Sequence, residues 1–164
     1  GVVMQEGVIF SESIERNIAV DDAEVDQERL MLAAEIACIK DYVMALPLKF
    51  NTKIGRDGVG LSLGQKQRIL IARAGYKNPD YIFLDEATNS LDANNERNIV
   101  ENLDKFYQGK IVVIVAHRLS TVKNADQIIV LDHGKVVEVG SHKSLTAKQG
   151  AYYHLVKNQL ELGN

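Results

Sequence analysis

The sequence predicts an α/β fold, with a mostly parallel sheet, a helical insertion and a C-terminal β-hairpin. Three observations predict it. Tyr81-Ile82-Phe83-Leu84 and Ile111-Val112-Val113-Ile114-Val115 are apolar runs of strand length without polar alternation, the pattern of strands buried on both faces of a helix-covered sheet. Residues 21–50 carry apolar positions at helical spacing and no strand pattern. Ile128–Leu131 and Val136–Val139 flank Asp132-His133-Gly134-Lys135, which reads as a hairpin with glycine in its turn.

In chain order, Gly1-Val2-Val3-Met4 reads as the end of a strand, with Gln5 at its carboxyl end. The chain opens on that strand without a turn or cap, as a segment cut from a longer domain would. Residues 7–18 suit a loop and a short helix pinned against a core, with Ser13 as its cap. Asp21, Asp22, Glu24, Asp26 and Glu28 crowd the start of the helical insertion, where carboxylates favour the positive end of a helix dipole. Leu30, Ala33, Ala34, Ala37 and Cys38 continue it, one helical stretch is expected over 30–45, and Pro47 stops the run.

Four glycines make 51–64 loop-like, and Leu61-Ser62-Leu63-Gly64-Gln65 opens a helix carrying Gln67, Ile69, Leu70, Ile71 and Ala72. Beyond the central strand, Ile99, Val100, Leu103 and Phe106 give a helix over 93–107 its apolar face, and Gly109 ends it. Helices over 145–149 and 151–162 close the chain. The organisation expected is one domain with three parts, at 1–20, 21–78 (helical) and 79–164.

At 164 residues the chain can bury a core. Its net charge of −3 argues against a nucleic-acid-binding surface, which shows as a basic excess. No run of about 18 apolar residues occurs, so nothing in the sequence reads as a membrane span. No N-terminal stretch reads as a signal peptide either. The single Cys38 cannot form an internal disulfide and has no metal-ligand spacing beside it, which leaves a buried, reduced cytosolic thiol.

The chemistry concentrates where the first apolar run ends in Asp85 and Glu86. Open α/β sheets place ligands at the carboxyl ends of their strands. There one carboxylate can hold Mg²⁺ while its neighbour orients or deprotonates an attacking water, as phosphoryl transfer requires. The plainer alternative is an acidic cap on the following helix. His117 stands at the end of the second apolar strand, where it is either a solvated side chain or a member of one rim with Gln5, Asp85 and Glu86. Ser62 and Gly64 open a helix whose free N–H groups suit an anion, or simply cap that helix.

Taken together and in order, these motifs resemble the ATP-binding-cassette (ABC) ATPase domain, a P-loop NTPase of RecA-like fold. Leu61-Ser62-Leu63-Gly64-Gln65 is similar to the ABC signature, with Leu63 where the family usually has glycine. Tyr81 to Glu86 resembles the Walker B strand, Gln5 the Q-loop glutamine, Asn89 to Asp92 the D-loop and His117 the switch histidine. The resemblance implies ATP and Mg²⁺ as ligands. It makes Glu86 the catalytic carboxylate, His117 the γ-phosphate contact, and Asp85 and Gln5 the magnesium side. Ser62, Gly64, Gln65 and Asp92 become contacts to nucleotide across a dimer.

Residues 10–18 are similar to the post-Q-loop segment of exporter-type domains, and 52–58 resemble the exporter X-loop; by analogy both lie near the transmembrane part. The segment 85–92 looks closest to exporters of peptides, proteins or lipids. The implied partners are the transmembrane domains of an exporter and a second ABC domain. The implied place is the cytoplasmic face of a membrane reached only through the parent protein.

No Gly-x-x-x-x-Gly-Lys-Ser/Thr string occurs, so the resemblance covers the C-terminal portion of the domain and the chain alone is expected to be inactive. Two other functions fit parts of the pattern. One is a nucleotide-dependent clamp on DNA or ribosomes, which a basic surface or long coiled coil would favour. The other is a non-catalytic dimerisation fragment.

Overall fold

The computed structural model describes residues 1–4, 7–85, 93–116 and 122–162, with side chains at 93–98, 100 and 159–162 left aside. The chain forms two compact units, Gly1–Val115 and Ala116–Asn164.

In the first unit, β1 (Val2–Val3), β2 (Tyr81–Asp85) and β3 (Ile111–Val115) form a parallel sheet in the order β1-β2-β3. The register sets Val3 beside Leu84 and Asp85 beside Val115, so all three strands end on one rim. Helices α1 (Ile14–Ile18), α2 (Gln27–Ile36), α3 (Lys40–Ala45), α4 (Leu63–Lys77) and α5 (Ala93–Phe106) complete the unit. One apolar core unites α1, α2 and α4 with the inner sheet face, where Val3, Ile82 and Leu84 are 1%, 1% and 5% exposed.

The other sheet face corrects the expectation of strands buried on both sides. Tyr81, Phe83 and Val113 are 59%, 49% and 45% exposed, and Val2, Ile111 and Val115 join them. Strand alternation sends these side chains away from the helices, and no described residue of this unit covers them. An apolar run shows that a face can be buried; it does not supply the layer that buries it.

The helical insertion also differs from a single stretch. Helix α2 stops at Ile36, and Cys38 takes a left-handed φ of 49°. Its N–H donates to Glu35 O, and Ile39 N–H donates to Ala34 O, the paired bonds of a Schellman stop. Asn102 Nδ2 fastens the turn from outside, donating to Glu35 O at 3.0 Å and contacting Cys38 Sγ at 3.2 Å. The thiol is half-buried rather than buried, and desolvation pushes its pKa up.

Helix ends follow the expected chemistry elsewhere. Asp26 caps α2, its Oδ1 accepting from Glu28 N and Arg29 N. Ser13 caps α1 through Arg16 N. In the second unit, β4 (Ile128–Asp132) and β5 (Lys135–Gly140) pair antiparallel. His133 and Gly134, with φ of 47° and 73°, make the turn between them, as type I′ geometry demands. Helices α6 (His142–Lys148) and α7 (Ala151–Leu162) follow, and Leu145 and Tyr152 pack on Ile128 and Val130.

Candidate active site

Two described features carry the candidate chemistry. The first is the start of α4. Ser62 stands at the N-cap in extended backbone, its Oγ accepting from Gln65 N at 3.2 Å, while Ser62 N donates to Gln65 Oε1 at 2.9 Å. This capping box explains the local sequence, because a serine followed three positions later by glutamine satisfies two orphan donors reciprocally. It also fixes what remains for a ligand. The N–H groups of Leu63 and Gly64 belong to the first helical turn, which lacks intrahelical acceptors, and the Ser62 hydroxyl hydrogen is free to donate. Ser62 and Leu63 are exposed, and α4 is long enough for its dipole to favour an anion there. Capping and anion binding are therefore compatible at this serine.

The second feature is the sheet rim. Asp85 is the last residue of β2 and is exposed, a carboxylate open to a cation or water at the strand's carboxyl end. Parallel pairing sets the ends of β1 and β3 on either side of it. Gln5, Glu86, Asp92 and His117 lie outside the described residues. The donor sets fit the expected ligands in kind: backbone and hydroxyl donors with a positive dipole for phosphate, an open carboxylate for Mg²⁺. Among the described residues no group of three or more His, Cys, Asp or Glu could hold a metal by itself.

The segments beside these features form a continuous piece. Ile14 N donates to Thr52 O at 3.0 Å and Ile54 N to Glu12 O at 2.9 Å, so 12–14 and 52–54 run as an antiparallel seam. Gly55, at φ 90°, lets the backbones close, since a Cβ there would sit 2.9 Å from Phe10 O. The two stretches that resemble exporter contact segments thus lie against each other.

The sequence reading missed two residues. Asn17 is fully buried, and Arg73 reaches from the middle of α4 to its backbone carbonyl at 2.7 Å. The available signal was an amide inside the short apolar helix 14–18 and a guanidinium inside Ile69-Leu70-Ile71-Ala72-Arg73-Ala74. Polar groups in apolar runs need specific partners.

Comparison with known proteins adds an independent line. The family profile described as ABC transporter matches residues 1–89. The ATP-dependent lipid A-core flippase of Saccharophagus degradans is 44% identical over 158 residues, 96% of this chain and 27% of that protein. The toxin RTX-III translocation ATP-binding protein of Actinobacillus pleuropneumoniae is 47% identical over 162 residues, 98% of this chain and 22% of its own length. A bacterial Atm1-family ABC exporter solved with ATP bound superposes with a TM-score of 0.92 at 36% identity, over 98% of this chain and 28% of that one. The chain spans roughly a quarter of the length of these relatives.

Proposed function

Since the chain belongs to the ABC transporter family, we propose that it forms part of an exporter's nucleotide-binding domain, whose intact form hydrolyses ATP to drive export of a peptide, protein or lipid. The observation that carries this reading is the parallel order β1-β2-β3, which ends three strands on one rim with Asp85 exposed on it. In this reading Asp85 and Gln5 attend Mg²⁺, Gln5 also linking it to the transmembrane domains, Glu86 orients or deprotonates the attacking water, and His117 contacts the γ-phosphate. Mg²⁺ held by these residues would neutralise charge on the transferring phosphoryl group. Ser62, Gly64, Gln65 and Asp92 serve nucleotide held mainly by a second copy of the domain, so two copies enclose two ATP molecules. The parts at 1–20, 21–78 and 79–164 act as the Q-loop region, the helical signature subdomain and the Walker B to C-terminal part.

The relatives named for lipid A-core flipping and toxin translocation support export as the process. The seam of 12–14 on 52–54 supports one surface for the transmembrane domains. Among the described residues no helix is long and apolar enough to cross a membrane, so membrane contact in this reading comes through the parent protein, at its cytoplasmic face.

The test is Glu86→Gln in the full-length parent. ATP binding persists and turnover falls by about 10²–10⁴-fold, the usual worth of a positioned general base. Near-normal turnover overturns the assignment. The 164-residue chain alone, without a P-loop, is expected to bind ATP weakly and release no phosphate; robust magnesium-dependent release from it would overturn that expectation.

A further inference from the structure

Asn17 and Arg73 tie the exporter-like seam to the helix that carries Ser62. Asn17 Oδ1 accepts from Phe10 N at 2.8 Å, and Nδ2 donates to the carbonyls of Phe10, Glu12 and Ser13 at 3.0, 3.4 and 3.0 Å. One buried amide therefore holds the loop 10–13 at four backbone atoms. Arg73 locks the same loop from the other side. Its Nε donates to Asn17 O at 2.7 Å and its Nη2 to Val8 O at 3.1 Å, and its guanidinium lies 5.3 Å from the centre of the Phe10 ring.

Among the described residues Arg73 forms no ion pair. Its partners are carbonyls, the Asn17 amide oxygen at 3.5 Å and an aromatic face. A planar fork spent on carbonyls 8 and 17 fixes direction as well as distance, which a flexible ammonium does not. From Arg73 to Ser62 is 73 − 62 = 11 residues, about 16 Å of α-helix at 1.5 Å per residue.

Resting on the reading above, we propose that Asn17 and Arg73 are positioning residues that join 8–17 and α4 into one rigid body. Displacement of the surface formed by 10–14 and 52–54 then reaches the Ser62 end of α4 undamped. Neither residue touches nucleotide; both act by keeping the serine in step with the outer surface.

The test uses the full-length parent in a cysteine-free background, with spin labels at Glu12→Cys and Lys66→Cys, both exposed positions at opposite ends of the linkage. In assemblies where labelled protein is diluted with unlabelled copies, so that one copy carries both labels, the native pair gives one narrow distance distribution, of equal width without nucleotide and with ATP and Mg²⁺. Arg73→Ala broadens it at least twofold. It also lowers kcat by roughly 5–20-fold while the KM for ATP moves less than twofold, because a positioning group acts after binding. Arg73→Lys keeps one donor for the Asn17 carbonyl and falls between the two; it also tests the linkage if the alanine variant fails to fold. An unchanged width in folded Arg73→Lys and Arg73→Ala overturns the proposal, as does a loss confined to KM. A parent that hydrolyses no ATP overturns the functional reading alone, since the nucleotide-free width still decides the linkage.

Discussion

The helical layer and the outer face of the sheet follow opposite logic within the same unit. In the helical layer the apolar side chains are closed and most polar ones are held: Ile69 and Leu30 are fully buried, the Tyr76 hydroxyl is held at both of its functions, and Arg29 stacks over the Tyr76 ring, while Gln67 Nε2 and Arg68 Nε are buried without a hydrogen-bond partner among the described residues. On the outer sheet face, Val2, Phe83 and Val113 line up in register, with Tyr81 beside Ile111, and all five are exposed. Beyond β3, no strand pairs with its free edge among the described residues. The difference teaches that one part of this fold is self-sufficient, while the other is written for a neighbour.

Truncating Ile69 tests closure directly. Ile69→Ala removes a fully buried side chain from the middle of α4 and costs about 2–5 kcal/mol in urea unfolding of the chain. A loss below about 1 kcal/mol would mean the layer collapses around the gap and is looser than its burial suggests.

The seam comes next. Gly55→Ala places a Cβ 2.9 Å from Phe10 O at a φ of 90°, so contact and backbone strain act together, for about 1–3 kcal/mol. The same substitution at Gly134, where the turn is open, meets no neighbouring atom and measures the strain alone. Equal losses at the two glycines would show that the 12–14 and 52–54 seam is not tightly closed.

Tyr76→Phe is smaller. The hydroxyl donates to Asp22 Oδ2 at 2.8 Å and accepts from Asp26 N at 3.0 Å. Removing it leaves a carboxylate and a backbone N–H to find water, at about 1–2 kcal/mol, since these groups lie near the surface. A chemical-denaturation difference under 0.3 kcal/mol would place the tyrosine's contribution in its ring alone.

Much of this architecture was legible in the residues. The two apolar runs did pair as parallel strands, the Gly134 turn made its hairpin, and Ser62 opened α4 as a cap. Each of these is local physics: apolarity, positive φ, an orphan donor beside a hydroxyl. What could not be read was set by distant chain. The stop after Ile36 has neither glycine nor asparagine to announce it, and Asn102 secures it from 64 residues away. Asn17 and Arg73 are 56 residues apart, and only the fold shows that they meet. Strand runs such as 81–84 state their apolarity on both faces, while only one of those faces is buried in this unit. Of the candidate site, Ser62, Gly64, Gln65 and Asp85 take the positions expected at a helix start and a strand end, and Gln5, Glu86, Asp92 and His117 lie outside the described residues.

The smallest effect on stability is expected at the outer face, and it sharpens the contrast most. Phe83 and Leu84 are sequence neighbours on opposite faces, one half exposed and the other buried. Phe83→Ser costs about 1 kcal/mol of unfolding free energy in the monomer, well below a core truncation, because about half of the residue stays in water. The same serine at Leu84 loses a core side chain and buries an unpaired hydroxyl. Association should respond in the opposite sense. A contiguous apolar face beside an unpaired strand edge is expected to make the chain self-associate at micromolar concentration, by face burial and strand pairing. Phe83→Ser takes the largest ring out of that face and shifts light-scattering mass toward the monomer. A native chain that scatters as a clean monomer across a dilution series, with no dye bound to apolar surface, would refute self-association. In the full-length parent, a loss of several kcal/mol from the same Phe83→Ser change would show that another part of the protein covers this face.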